Sequence, residues 1–201
     1  MEDLHYKTLK LLSEGEYSEK GSKFIAYAVP CKSEEEAKGY LNEWRKAHNQ
    51  ARHVCYAYRF GYEMKVFRAN DDGEPSNSAG APILGQIQSF ELTDVLIGVV
   101  RYFGGTKLGV GGLINAYRIA AKEALELGEI IELPVVKSVK VEFSYDQMPD
   151  VMKLIKSHEL STRDNDFGLN CSFSVDLPIL RSEQISQLLM EIDGVEVTEE
   201  I

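Results

Sequence analysis

A nearly continuous apolar run, Asp94–Tyr102, empties into Gly104-Gly105-Thr106-Lys107-Leu108-Gly109-Val110-Gly111-Gly112. An apolar helical pattern follows to Leu127, and Gly128 ends it. A strand that is apolar on both faces needs a covering layer on each side. The first amides of a helix have no intrahelical partner. Strand, glycine loop and helix start together therefore present unpaired N–H groups at a sheet end. That arrangement suits an anion, phosphate above all. Arg101 and Lys107 add positive charge beside it. The named nucleotide loops do not match. A P-loop needs Lys-Ser/Thr after its last glycine, where this chain has Val110, and the dinucleotide fingerprint fails at Ile114. Three readings of Gly104, Gly105, Lys107, Gly109, Gly111 and Gly112 stay open. They are a tight turn, a phosphate or nucleic-acid contact, and a nucleotide site.

A second loop, Asp71-Asp72-Gly73-Glu74-Pro75-Ser76-Asn77-Ser78, also runs into a helical pattern. Asp71, Asp72 and Glu74 offer oxygen ligands for a divalent metal, but their spacing departs from a calcium-binding loop. Asp-Gly and Glu-Pro are also ordinary turn chemistry. Ser76 and Ser78 are hydroxyl nucleophiles in type, yet no Gly-x-Ser-x-Gly surrounds them. Asp71, Asp72, Glu74 and Ser78 stand as a candidate functional loop, with no catalytic residue, metal or cofactor expected. Ser78 is expected to cap a helix reaching about Ser89, with Pro82 in its first turn.

Upstream, Phe24–Val29 reads as a strand. Ser33 with Glu36 reads as a capping box for a helix carrying Ala37, Tyr40, Leu41, Trp44 and Ala47 on one face. Val54–Phe60 and Lys65–Arg68 read as a hairpin turning at Gly61–Glu63. His53 and Cys55 share a strand face, so a Cys–His pair is weighed against simple packing. Tyr56, Tyr58 and Phe60 share one face too. They suit base stacking, or more simply a core stripe. Beyond Pro134 the pattern is strand 135–145, helix 148–158, strands 159–166 and 168–177, helix 182–192 capped by Ser182, and strand 195–198. This βαββαβ order is ferredoxin-like. Domains are expected at 1–133 and 134–201.

Charge separates the two parts. The net charge is −10. The first 133 residues carry 16 basic and 19 acidic side chains, against 6 and 13 in the remainder. The back part should repel phosphate. Between positions 45 and 68, Arg45, Lys46, Arg52, Arg59, Lys65 and Arg68 face only Glu63. This basic island and the glycine loop are the plausible nucleic-acid face. Three scattered cysteines, Cys31, Cys55 and Cys171, form neither a disulfide framework nor a zinc site. No apolar run approaches the ~18 residues of a membrane span. The acidic start lacks the apolar core of a signal peptide, so a cytoplasmic location with no membrane partner is expected.

His53–Arg59, Asp71–Pro75, Ser78-Ala79-Gly80 with Pro82-Ile83, and Arg101–Gly105 with Lys107-Leu108-Gly109 and Gly111-Gly112-Leu113 resemble the hallmark segments of the IMPACT/YigZ family. The resemblance spans about residues 16–127. It implies a two-domain α+β protein. The front domain would share the fold of a small-subunit ribosomal protein, GHMP kinases and the fourth domain of elongation factor G. The ferredoxin-like tail would be similar to that factor's last domain. The family's eukaryotic relative is a translation regulator, and RNA or ribosome binding is the usual proposal for bacterial members. The resemblance thus implies a non-enzymatic, translation-associated protein. Arg52, Arg59, Arg101, Lys107 and the glycine loop would contact RNA or the ribosome. A phosphate- or nucleotide-handling enzyme and a pure protein-interaction module are the alternatives. Two positions depart from the family pattern. Asn77-Ser78 stands where Gly-Thr is usual, and Asn115 stands where arginine is usual.

Overall fold

The computed structural model describes every residue except Met1, Glu2, Leu169 and Ile201. Leu169 falls within the strand expected at 168–177 and so lies outside the described residues. The chain forms two compact units. Tyr6–Leu133 make one, and Asp3 to His5 join the described residues from Pro134 onward in the other. That short leading segment is a departure from a simple cut at position 133.

The larger unit is built on β1 (His5–Leu9), β2 (Ser13–Glu19), β3 (Ser22–Pro30), α1 (Glu34–Ala47), β4 (His53–Phe60), β5 (Val66–Asn70), α2 (Gly80–Ser89), β6 (Val95–Tyr102), α3 (Gly109–Leu127) and β7 (Ile130–Pro134). Five strands form one sheet in the order β2-β3-β6-β4-β5, and β1 pairs with β7. Each neighbouring pair in the five-stranded sheet is antiparallel. β6 is the central strand and is buried from Val95 to Arg101. That is why its sequence is apolar without alternation.

Alternation along the strands sorts side chains into two cores. Phe24, Ala26, Ala28, Cys55, Ala57, Val95, Ile97 and Val99 face α2 and α3, where Ile83, Ile87, Ala116, Tyr117 and Ala120 meet them. Val29, Val54, Tyr58, Phe60, Leu96 and Val100 face α1, with Leu41 and Trp44. The expected aromatic stripe is part of this second core. The Tyr58 and Phe60 rings stack at 4.3 Å, and Tyr56 stacks on Tyr58 at 6.3 Å. Trp44 lies on Gly98, where any Cβ would come within 2.3 Å of the indole. Ser33 caps α1 by accepting from the Glu36 amide at 3.2 Å, while Glu36 accepts from Lys32 N rather than from Ser33. Ala47, expected on the inner face, is exposed at the end of the helix.

The smaller unit comprises β8 (Val136–Ser144), α4 (Met148–Ser157), β9 (Thr162–Phe167), β10 (Asn170–Pro178), α5 (Ser182–Met190) and β11 (Glu196–Glu199). Its sheet runs β11-β8-β10-β9, the ferredoxin-like order. Val139, Val141, Phe173 and Val175 pack against Val151, Ile155, Ile185 and Leu189 of the two helices. Ser182 does not cap α5. It is the first residue of that helix, and its hydroxyl donates to Ile179 O at 2.9 Å. Among the described residues no helix is long and apolar enough to cross a membrane.

Candidate functional site

The loop from Asp71 to Ala79 is organised by carboxylates. Asp71 Oδ1 accepts from the amides of Ala79 at 2.9 Å and Gly80 at 2.8 Å, and Oδ2 accepts from Asn77 N at 2.8 Å. A carboxylate there also faces the positive end of the helix dipole. Asp71 therefore caps α2 from eight and nine residues upstream. Ser78, expected as the cap, instead donates to Pro75 O at 2.6 Å and is fully buried. The expected cap fails because the Ser78 hydroxyl closes its own turn. Its burial also removes it as an exposed nucleophile. Asn77 sits at φ +61°, a left-handed conformation that asparagine tolerates better than most residues. This accounts physically for asparagine where glycine is usual.

Asp72 bolts the same loop to β4. Its Oδ2 accepts from Val54 N at 2.7 Å, its Oδ1 pairs with Arg45 at 2.9 Å, and its carbonyl accepts from His53 Nδ1 at 2.7 Å. Glu74 turns inward. Its Oε1 accepts from Arg101 Nη1 at 2.5 Å and from Tyr117 OH at 2.9 Å. The Cys55 thiol lies behind them, 3.3 Å from Tyr117 OH and 3.0 Å from Asp71 O. Burial pushes the Cys55 thiol far above its ordinary value, and the neighbouring acids push the same way. It is no thiolate nucleophile. His53, whose Nδ1 is committed to Asp72, is not hydrogen-bonded to it. Each of the three acids thus has a structural partner, and no cluster of metal-ligating side chains occurs among the described residues.

The glycine loop divides into two roles. Gly104 is a packing glycine, since a Cβ there would lie 1.9 Å from the Gly21 carbonyl carbon. Its amide donates to Ser22 Oγ at 3.1 Å. Gly105 and Gly109 hold left-handed φ of +87° and +74°, which bends the chain into α3. At α3, by contrast, Leu108 in the cap position offers no side-chain acceptor, and among the described residues no other side chain accepts from the first amides of the helix. Asn115, where arginine is usual, accepts from Arg118 Nη2 at 2.6 Å on the outside of the helix.

Between the two loops an open cleft of about 490 Å³ is lined by Arg52, His53, Glu74, Pro75, Arg101, Phe103, Lys107, Leu108, Gly109, Val110 and Leu113. Of the residues singled out in the sequence, Arg52, His53, Arg101, Lys107, Gly109 and Glu74 meet here. Gly104, Gly105, Gly111, Gly112, Asp71, Asp72 and Ser78 do not line it. Arg59 is displaced altogether. It lies on β4 opposite Val95, whereas His53 at the cleft lies opposite Arg101. It is buried, and its Nε donates to Leu92 O at 2.6 Å. An arginine held so cannot form part of an exposed phosphate-contact face. Arg101 is also no free surface cation. Its side chain is 8% exposed, sandwiched by the Phe24 and Phe103 rings and paired with Glu74. The apolar wall of Phe103, Leu108, Val110 and Leu113 was not legible, because those residues look like ordinary helix and strand apolar positions. The exposure of Phe103 and Val110, about half in each case, marks them as cleft residues.

The Impact N-terminal domain matches residues 20–125, which contain the whole cleft. The IMPACT family member YvyE of Bacillus subtilis (strain 168) is 30% identical over 187 residues, covering 93% of this chain and 86% of that protein. An IMPACT family member of Thermus thermophilus is 39% identical over 159 residues, covering 78% and 84%. A crystal structure of a hypothetical protein superposes with a TM-score of 0.72 at 24% identity, covering 100% of this chain and 99% of that one, which shows a shared fold.

Proposed function

The chain belongs to the IMPACT family, and from that premise we propose that it is a translation-associated regulatory protein contacting RNA or the ribosome through the cleft of its larger unit. The observation that carries this reading is the start of α3, whose first amides have no side-chain acceptor among the described residues and which opens on a cleft edged by Lys107 and Arg52. Free helix amides with exposed cations are a phosphate site in their chemistry. Gly104, Gly105, Gly111 and Gly112 shape the approach without lining the cleft. The role is contact rather than catalysis, because the buried thiol is protonated and Glu74 is held by Arg101 and Tyr117. The acidic smaller unit orients the contact or meets a protein partner, and the location is cytoplasmic.

The test is co-sedimentation with ribosomes, and with free ribosomal RNA, across a salt series. Two or three phosphates on the cleft give a shallow slope, on the order of −1.5 to −2 in log affinity against log salt for a single strand. Lys107→Glu, an exposed change, weakens binding at every RNA sequence about equally and leaves stability unchanged. Equal affinity of that variant removes the glycine loop from the contact. Thermal stabilisation by ATP with magnesium, and not by RNA, would favour a nucleotide-handling enzyme instead. A pull-down that survives nuclease would favour a protein-interaction module.

A further inference from the structure

The cleft has more chemistry than a phosphate contact requires. Arg52, Arg101 and Lys107 set three cations against the single carboxylate of Glu74, so an anion is favoured and a bare divalent cation is repelled. Arg101 has a buried Nε–H with no acceptor among the described residues, in a side chain that is more than nine-tenths buried. Its pairing with Glu74 therefore leaves it incompletely satisfied. Glu74 is incomplete in the opposite sense. Both of its described donors share Oε1, and among the described residues none donates to Oε2. A carboxylate oxygen with spare lone pairs, set in a cation-lined cleft, accepts from a hydroxyl of a ligand that is itself anionic. Phe103 and Val110 add a half-exposed apolar wall suited to a flat ring. The volume of about 490 Å³ lies within the ordinary range for small-molecule sites.

An anionic group, a donating hydroxyl and a flat ring together describe a ribonucleotide. We propose that the cleft takes one unstacked ribonucleotide, with its phosphate at the start of α3 beside Lys107 and Arg52, a ribose hydroxyl donating to Glu74 Oε2, and its base against Phe103. This rests on the RNA-contact reading for its choice of ligand and goes beyond it by assigning sugar discrimination to Glu74. The 2′-hydroxyl is the group by which a protein separates RNA from DNA at one site.

The experiment compares fluorescently labelled ten-residue adenosine strands, as RNA, DNA and 2′-O-methyl RNA, with free AMP and 2′-deoxy-AMP, all on the unaltered protein. The expected result is RNA bound about tenfold or more tighter than DNA or the methylated strand. Lys107→Ala lowers all three while keeping their ratio, and Glu74→Gln narrows the ratio. Equal affinity for RNA and DNA overturns the ribose contact and leaves the phosphate contact standing. AMP bound in preference to 2′-deoxy-AMP, with no strand bound, overturns the RNA reading and upholds the cleft for a free ribonucleotide. Binding of neither nucleotides nor strands overturns both. Because the ratio is read on the unaltered protein, a folding defect in either variant does not decide the outcome.

Discussion

Arg101 and Glu74 form an ion pair at 2.5 Å, with side chains 8% and 5% exposed, at a cleft that is otherwise open. They come from the end of β6 and from the loop ahead of α2, so the pair ties two sequence-distant segments together. Removing one partner of a buried pair leaves the other charge uncompensated, which costs roughly 3–5 kcal/mol.

Glu74→Ala is accordingly expected to destabilise the larger unit by about that amount, and Arg101→Met similarly. The double variant Glu74→Ala/Arg101→Met should recover much of the loss, since neither charge is then stranded. Urea unfolding followed by Trp44, the only tryptophan, reads this unit directly. Additive losses in the double variant would show that the two groups do not act as a pair.

Asp71→Ala should cost about 2 kcal/mol, because two amides at the start of α2 and that of Asn77 in the loop before it lose one acceptor group. Asp71→Asn should lie between, since its amide oxygen still accepts. Ser78→Ala should cost only about 1 kcal/mol, the worth of one hydroxyl donation to Pro75 O. Chemical denaturation of the three variants checks the order. A larger loss at Ser78 than at Asp71 would restore the serine as the cap.

Two glycine replacements should have opposite signs. Gly98→Ala forces a Cβ to within 2.3 Å of Trp44 and should destabilise by roughly 1–3 kcal/mol, with a shifted tryptophan emission. Gly111→Ala places its Cβ in open space on a helix and should stabilise by about 0.5–1 kcal/mol. Thermal melts followed by circular dichroism, with emission spectra, suffice.

All three cysteines are buried, so the native protein should resist thiol reagents until it opens. Burial pushes the Cys31 thiol from 9.0 up to about 11. The unfolded chain therefore ionises this thiol first. The stabilising contribution is complete below pH 9 and is lost as pH rises through 11. Cys55 adds in the same direction. Stability measured from pH 8 upward should fall, and Cys31→Ser should flatten part of that fall. Labelling of native protein as fast as unfolded protein would show that the thiols are not enclosed.

The strongly patterned elements were legible because their periodicity reports burial. β6 is apolar throughout as the central strand with helices on both faces. The βαββαβ order beyond Pro134 is readable from alternation and helix spacing alone. β1, β2 and β7 were not legible. β1 and β7 pair with each other in a two-stranded sheet and β2 is an edge strand, so each has few buried positions to set a period. β9 is likewise an edge strand and almost wholly exposed, so its bounds shifted from 159–166 to Thr162–Phe167.

By itself the sequence determined that two loops, one acidic and one glycine-rich, each lead into a helix. It also determined that a ferredoxin-like unit follows. Local chemistry sets such features, namely turn residues, apolar period and the special φ of glycine. Which side chains meet was decided only by the tertiary structure. Strand pairing put Arg101 opposite His53 and sent Arg59 to the other end of β4, buried against Leu92. Folding also turned Glu74 inward onto Arg101 and Tyr117, and made Asp71 rather than Ser78 the cap of α2. These outcomes depend on sheet register and on burial of charge, which are long-range terms that no local window of sequence contains.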